Sequence, residues 1–289
     1  MLGGIGITMK PGRIFEATWK AVNVLFALSV VLFIVTSCWE YSTRRYLHGF
    51  ADAIVPATAT PIEKAEAILN WMEHGPTRRD APQHGNDNIR EPEESLNYAS
   101  LLKVCGSATN AFVNLANSGG LPARRLLLMS ERRDANHVVA EIWTGDKWIV
   151  VDPSFRFIPR GVNGQPLTRE ELSDPDVFER VVQSVPHYDP RYNYEHTSHL
   201  RLARLPVIGR ALRAVLDWIA PGWSDSIYVT LLAERRSFAA ALVSGFLCLF
   251  LFLARLIMRR ISESRFGTHH VRFRDRLWRA FQIFLQETN

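Results

Sequence analysis

The chain has 289 residues, of which 47% are hydrophobic, 11% aromatic and 22% charged, and this composition excludes disordered, collagenous and multi-span transport proteins. Three cysteines in a chain of this length exclude a small disulfide-stapled fold. The net charge of +5 combines −6 over residues 46–200 with +11 elsewhere, so the basic excess is better suited to anionic lipid headgroups than to nucleic acid.

Two apolar runs are long enough to cross a membrane. Ala21 to Trp39 has 19 residues and no charge, close to the roughly 20 residues that span about 30 Å of hydrocarbon. Phe238 to Ala254 is also uncharged, and it extends to Met258 if Arg255 snorkels toward the headgroups. Because soluble helices rarely stay apolar on all faces over such lengths, we predict transmembrane helices at 21–39 and 238–258.

The cations beside these runs predict the orientation of the chain. Arg235 and Arg236 precede the second run, whereas a dense series of arginines follows it. Lys10, Arg13 and Lys20 precede the first run, which gives a weaker bias toward a cytoplasmic N-terminus. We therefore expect a cytoplasmic N-terminal segment at 1–20 and a basic cytoplasmic tail at 259–289. In a bacterial inner membrane, this orientation places the residues between the runs in the periplasm.

A second interpretation of the first run stays open. Val35-Thr36-Ser37-Cys38 resembles a lipoprotein cleavage box, and cleavage there would leave Cys38 as a lipidated N-terminus. The apolar run continues through Trp39, which favours the transmembrane helix. Under both interpretations the middle of the chain faces the same side of the membrane.

The middle of the chain predicts an α+β domain over residues 44–198. Thr60-Pro61-Ile62-Glu63 has the form of a capping box and predicts a helix from Pro61 to about Glu73. A second helix is expected over Cys105 to Asn117, stopped by Ser118-Gly119-Gly120. Alternating and β-branched residues predict three strands, which are Arg124–Met129, Val138–Trp143 and Trp148–Val151.

Three further segments have a character of their own. Gly75 to Glu94 is polar and predicts a surface loop. The pattern from His199 to Trp218 predicts an amphipathic helix in a juxtamembrane segment at 199–236, which either lies in the membrane interface or packs against the domain. Val271 to Phe284 suits an amphipathic helix on the inner leaflet.

A group of histidines near the end of the domain raises the question of a metal site. His187, His196 and His199 with Asp189 fit no tight ligand template, so we expect a solvated loop there. No phosphate-binding loop or dinucleotide fingerprint appears in the sequence. We therefore expect neither a metal nor a cofactor, which disfavours a metallohydrolase.

Cys105 is the one cysteine between the apolar runs, since Cys38 and Cys248 lie inside them. An unpaired thiol in an oxidising compartment is either buried and inert or kept for its reactivity. A place in the first turn of a helix favours reactivity, because backbone N–H groups and the helix dipole stabilise a thiolate. A lone helical cysteine without further support would still be interpreted as inert.

His137 and Asp152 lie at the ends of two strands that we expect to pair. A hairpin loop of two or four residues puts both side chains on one face of the sheet, directly opposite or one diagonal step apart. Asp152 can then accept a hydrogen bond from one imidazole nitrogen while the other nitrogen faces the thiol. A loop of three or five residues without a bulge would separate the pair. Each residue alone also fits a structural role, as an edge histidine or a strand-ending turn.

In their order and spacing, these segments resemble the transglutaminase-like superfamily, a papain-related group with bacterial members. The resemblance covers roughly residues 58–160. It implies a nucleophile helix packed on an antiparallel sheet, flanked in this chain by two transmembrane helices. It also implies Cys105 as nucleophile, His137 as base and Asp152 as orienting acid. The strings that carry it are Val104-Cys105-Gly106-Ser107, Gly120-Leu121-Pro122-Ala123-Arg124, His137-Val138-Val139-Ala140-Glu141-Ile142-Trp143 and Lys147-Trp148-Ile149-Val150-Val151-Asp152-Pro153.

Two departures from the family pattern leave substrate preference open. Ser107-Ala108 follows the Cys-Gly step in place of an acidic residue or small polar pair, and Asn136 rather than glycine precedes His137. Neither departure removes a member of the triad.

The resemblance implies acyl transfer through a thioester. We expect a membrane-anchored cysteine hydrolase or acyltransferase that acts on amide bonds of envelope peptides or proteins. Water as acceptor gives hydrolysis, which we favour, and an amine gives cross-linking. The backbone N–H of Cys105 is the first candidate oxyanion donor, and the segment Asn97–Ser100 is a candidate for a second.

A non-catalytic alternative stays open at this point. The same fold can serve as an interaction module with a protein partner in an envelope or polysaccharide-export assembly. Thiol reactivity discriminates between the two, since a scaffold has no need of an activated thiolate.

Overall fold

The protein is described by a computed structural model over residues 11–75, 96, 104–130, 134–200 and 208–266. Its contacts form two compact units, one of residues 36–242 and the other of the residues before 36 together with those after 242. The predicted loop from Gly75 to Glu94, beyond its first residue, and the predicted helix from Val271 to Phe284 lie outside the described residues.

The described elements alternate between helices and an antiparallel sheet, which confirms the predicted α+β class. In chain order they are α1 (Pro11–Ile54), α2 (Pro61–His74), α3 (Cys105–Ser118), β1 (Ala123–Met129), β2 (Ala135–Trp143), β3 (Trp148–Val151), α4 (Arg169–Leu172), α5 (Pro175–Val182), β4 (Thr197–Ser198), α6 (Ile208–Ile219), a 3-10 turn (Trp223–Asp225), α7 (Ile227–Glu234) and α8 (Arg236–Phe266).

Helices α1 and α8 are both apolar enough to cross a membrane. Their most apolar 18-residue windows have mean hydropathies of 2.4 and 2.3, and only 11% and 6% of those windows is buried. Such low burial argues against core helices of a soluble fold. The two helices contact each other in their apolar parts, where the rings of Phe26 and Phe252 lie 6.1 Å apart.

Helix α1 runs past the apolar stretch and through Cys38 without a break. Its last turns are amphipathic, and they place Leu47 and Ala51 in the core of the domain. Hydropathy detects only the apolar stretch of such a helix. The remaining turns are stabilised by packing against the domain. The contacts accordingly begin the domain-forming unit at residue 36 and extend it to 242, beyond both ends of the predicted 44–198.

The sheet has four strands among the described residues, in the order β3-β2-β1-β4, and each neighbouring pair is antiparallel. One face packs on α2 and α3 through residues such as Ala140 and Ile142. The opposite face, which includes Leu126 and Val139, packs on the region of α4 and α5. Strand alternation therefore assigns each sheet residue to one of two apolar layers.

Helix α7 covers the part of β1 that β4 leaves unpaired. The backbone N–H of Arg125 donates to Thr230 Oγ1 at 3.2 Å, and the Arg125 guanidinium forms a buried ion pair with Glu234. Glu234 also binds α3, because Asn110 Nδ2 donates to its carbonyl at 2.6 Å and to Oε2 at 3.0 Å. These contacts satisfy backbone and side-chain groups that would otherwise be buried without partners.

A second set of buried bonds continues from this helix toward α1. Arg235 Nε donates to Asn114 Oδ1 at 3.0 Å, and its Nη1 donates to Glu40 Oε1 at 3.1 Å. The hydroxyl of Ser237 donates to the other Glu40 oxygen at 2.7 Å. We call the residues of these two sets the polar clamp. It joins α3 to the domain end of α1 and to the first turn of α8.

We predict that Glu234→Ala lowers the free energy of unfolding by about 3–5 kcal/mol, because it leaves the Arg125 guanidinium buried without its anion. Thermal or denaturant unfolding of the full chain in detergent measures the change. The matched control is Glu179→Ala, whose side chain is exposed and which we expect to cost less than about 0.5 kcal/mol. Equal destabilisation by the two variants would contradict the importance of the clamp.

Candidate active site

Cys105 is the first residue of α3, as predicted, and it is partly exposed. The residue before it, Val104, provides no side-chain cap to the first N–H groups of the helix. One turn later, Thr109 Oγ1 donates to the carbonyl of Val138 at 2.9 Å. This bond fixes the start of α3 against β2, which carries the predicted base.

The end of α3 is held to β1 by an asparagine. Asn117 Nδ2 donates to the carbonyl of Ala123 at 2.8 Å, and its Oδ1 accepts from the N–H of the same residue at 3.1 Å. Gly120 makes the reversal between them at φ +70°, a conformation that side-chain-bearing residues rarely adopt. The helix that carries Cys105 is therefore bonded to the sheet near both of its ends.

The hairpin of β2 and β3 has the register that the four-residue loop predicts. Ala140 pairs with Val151, and Trp143 pairs with Trp148. In this register His137 and Asp152 lie one diagonal step apart on the same face of the sheet, where His137 Nε2 and Asp152 Oδ2 are 2.8 Å apart. Both side chains are buried.

Asp152 is surrounded by hydrogen-bond donors on both oxygens. Oδ1 accepts from the backbone N–H groups of Ser154 and Phe155 at 3.1 and 3.2 Å. Oδ2 accepts from His137 and, at 3.3 Å, from the hydroxyl of Tyr188. The turn after β3 therefore holds the carboxylate in one orientation toward the imidazole.

The ring of His137 lies close enough to the thiol of Cys105 to lower the pKa of that thiol through hydrogen bonding and charge. Because Nε2 is used by Asp152, the free ring nitrogen for this bond is Nδ1. Strand alternation places His137 on the face of β2 that carries Val139, which is the face opposite α3. The N–H groups of Val138 and Gly106 also approach the sulfur.

These surroundings shift the protonation of both groups. Burial alone raises the pKa of Cys105, but the hydrogen bond and charge of His137 together with the two backbone N–H groups outweigh it, and the pKa is lowered. Burial alone lowers the pKa of His137, but hydrogen bonds to Asp152 and Cys105 and their charges raise it to about 9. Both shifts favour a thiolate–imidazolium pair near neutral pH.

An aromatic cover lies over the imidazole. The ring of Tyr192 stacks on His137 with centroids 4.3 Å apart and planes inclined by 10°. Phe155 and Tyr188 approach the same ring edge-on at 5.8 and 6.2 Å. None of these aromatic residues was predicted from the sequence. The concentration of tyrosines at 188, 192 and 194 in an otherwise polar stretch was the available clue.

A second buried polar network lies farther along the same face of the sheet. Arg124 Nε donates to Glu141 Oε2 at 2.7 Å, and the two nitrogens of His199 lie 2.8 Å from that oxygen and 2.9 Å from Asp225 Oδ1. The expectation of a solvated histidine loop is therefore wrong for His199, which is buried between two carboxylates. It holds for His187, which is exposed.

Other candidate ligands and donors are quickly described. In the part of the chain that the structure covers, no group of three or more His, Cys, Asp or Glu side chains is arranged to hold a metal ion. The segment Asn97–Ser100, predicted as a source of a second oxyanion donor, lies outside the described residues.

We predict that Asp152→Asn lowers the pKa of His137 from about 9, because the substitution removes the negative charge that stabilises imidazolium. At pH 8 the protonated fraction of the ring then falls. Ring ¹⁵N shifts of histidine-labelled protein measure this titration. Asp189→Asn is the control, since that carboxylate pairs with Arg191, and an equal shift in both variants would contradict the assignment.

Comparison with known proteins identifies a family for part of the chain. Residues 48–153 match the model of the transglutaminase-like superfamily, a range that includes α2, α3 and the three longer strands and ends just after Asp152. No curated protein and no solved structure matches the chain. Residues 48–153 are therefore a domain of the transglutaminase-like superfamily.

Proposed function

We propose that the protein is a membrane-anchored cysteine hydrolase or acyltransferase that acts on amide bonds of envelope peptides or proteins. Cys105 is the nucleophile and His137 is the general acid and base. Asp152 orients the imidazole and stabilises its protonated form. The observation that carries the proposal is a partly exposed thiol beside the imidazole of His137. The buried carboxylate of Asp152 helps to raise the pKa of that imidazole to about 9.

Acylation follows from the charges of the pair. The Cys105 thiolate attacks the amide carbonyl carbon, and the electron pair of the carbonyl moves to oxygen. When the tetrahedral intermediate collapses, the C–N bond breaks and the Nδ1 proton of His137 passes to the leaving amine. The products of this half-reaction are a Cys105 thioester, a free amine and a neutral imidazole held by Asp152.

Deacylation reverses the proton path. Neutral His137 takes a proton from the second nucleophile, which attacks the thioester carbonyl, and the thiolate leaves with imidazolium restored beside it. Water yields a carboxylic acid, and an amine yields a new amide. We favour water, because it is abundant and no feature of the described residues marks an amine-binding site.

The oxyanion requires donors at the start of α3. The backbone N–H of Cys105 is the proposed donor, since it belongs to the uncapped first turn. The positive end of the α3 dipole adds to the same stabilisation. This donor needs no side chain, which is compatible with the serine and alanine that follow the Cys-Gly step.

The location of this reaction follows from the two apolar helices. We propose that α1 and α8 span the inner membrane of a bacterium, with both termini cytoplasmic and the active site in the periplasm. The distribution of arginines around α8 supports this orientation. Reporter fusions after residue 45 and at the C-terminus would then report opposite sides, and equal sides would contradict the two-span topology.

The deciding measurement is the rate of Cys105 alkylation against pH in the full chain, with Cys38→Ser and Cys248→Ser so that one thiol remains. We expect the pH dependence of alkylation to give a thiol pKa well below the reference value of about 8.5. His137→Ala should return its titration toward that reference, because the hydrogen bond and charge that favour thiolate are lost. His196→Ala, an exposed histidine, is the matched control and should leave the profile unchanged.

A slow thiol that titrates normally with and without His137 would contradict the enzyme. That result would favour the non-catalytic interaction module, and pull-down from envelope fractions would then replace substrate screening.

The rate of amide hydrolysis should have a bell-shaped dependence on pH. The acidic limb reports protonation of the Cys105 thiolate. The alkaline limb should fall near pH 9, because imidazolium loses the proton that the leaving amine needs. Fluorogenic peptide amides provide the assay, and His137→Ala should reduce kcat by roughly 10²–10⁴-fold. A rate that keeps rising above pH 10 would contradict the role of His137 as general acid.

A further inference from the structure

Helix α6 carries apolar side chains that are exposed in the part of the chain that the structure describes. Val215, Trp218 and Ile219 are 52%, 83% and 64% exposed. A soluble domain rarely leaves a tryptophan and two aliphatic residues of one helix in water. The exposure also separates the two predictions for this segment, because packing against the domain would have buried these residues.

The sequence of α6 has the pattern of a helix that lies at an apolar–polar boundary. In the part of the helix whose side chains the structure describes, the helical period places Val215, Leu216 and Ile219 on one stripe and Asp217 on the opposite one. Trp218 borders the apolar stripe. A charged residue opposite aliphatic and aromatic residues is typical of helices that bind in the plane of a membrane surface.

Helix α7 connects this segment to the apolar helix α8. Its inner side is fixed in the polar clamp through Thr230 and Glu234, both buried. Its outer side carries Tyr228 and Leu232, which are 73% and 40% exposed. Because α8 begins at Arg236, Leu232 is only four residues from a helix apolar enough to span the bilayer. The outer side of α7 is therefore held close to the start of that helix.

We propose that Val215, Trp218, Ile219, Tyr228 and Leu232 form a membrane-docking surface that lies in the headgroup region of the bilayer. The proposal rests on the membrane anchoring proposed above and is independent of the chemistry of Cys105. Its ligand is the lipid surface itself, preferably one with anionic headgroups.

Three observations favour lipid over a protein partner. The surface leads directly into α8, whose own apolar side chains are exposed along its length. Its aromatic members are a tryptophan and a tyrosine, the residues enriched at membrane–water interfaces. The residues outside 46–200, which include this segment, carry the basic excess of the chain, and anionic lipids attract such segments.

Fluorescence quenching by spin-labelled lipid tests the docking surface in the full chain. The background is Cys38→Ser, Cys105→Ser and Cys248→Ser, with an environment-sensitive fluorophore on Trp218→Cys. The protein is reconstituted in vesicles of phosphatidylcholine and phosphatidylglycerol that contain lipid spin-labelled near the headgroup. Ile219→Cys provides a second position in case the first variant fails to fold.

Two label positions serve as references. Val162→Cys lies on an exposed loop of the domain, and Phe246→Cys lies on the exposed side of α8. We expect quenching at 218 to exceed that at 162 by about threefold or more, as for a side chain inserted in the interface. The label at 246 should be quenched most strongly by lipid that carries its spin label deeper in the acyl chain.

The outcomes separate the two proposals. Quenching at 246 with position 218 no more quenched than 162 overturns the docking surface and leaves the anchoring intact. Absence of quenching at 246 overturns the anchoring and the docking surface together. A blue-shifted emission at 218 without lipid quenching means that protein covers the surface, which also overturns the lipid assignment. Nanodiscs loaded with one or two copies would then tell a second copy of this chain from another partner.

Discussion

The bond between His137 and Asp152 is the constraint on which the rest of the site depends. A carboxylate and an imidazolium in a buried position lose most of their hydration, and they are stable there only when each is paired and bonded. Two backbone N–H groups and the hydroxyl of Tyr188 complete the shell of Asp152. The turn after β3 and the aromatic cover are therefore as necessary to the pair as the two strands that carry it.

Much of this arrangement could be predicted because it is local in the sequence. The four-residue loop fixes the hairpin register, and the register fixes which side chains share a face, so His137 and Asp152 follow from counting. Tyr192 and His199 could not be predicted in this way, since they reach the sheet from loops 40 to 60 residues away along the chain. The full length of α1 was also missed, because its last turns are stabilised by burial against the domain.

The two apolar layers and the polar clamp stabilise the domain in different ways. The layers bury both faces of the sheet, but they do not determine which element packs along the edge of β1. The clamp supplies that selection, since Glu234, Asn110 and Arg125 satisfy one another only when α7 lies along β1 beside α3. The helix that carries Cys105 is thus packed on the sheet by apolar contacts and aligned by ionic ones. Ionic alignment next to apolar packing is a common way to fix one arrangement among several of similar energy.

The parallel stack of Tyr192 on His137 makes His137 and Cys105 unequal toward reagents from solution. One face of the imidazole is covered by the tyrosine ring, its Nε2 is bonded to Asp152 and the residue is buried, whereas Cys105 is partly exposed. Reagents that modify histidine should therefore react slowly with His137, whereas reagents that modify cysteine can reach Cys105. Covalent probes for this protein should therefore carry thiol-selective warheads.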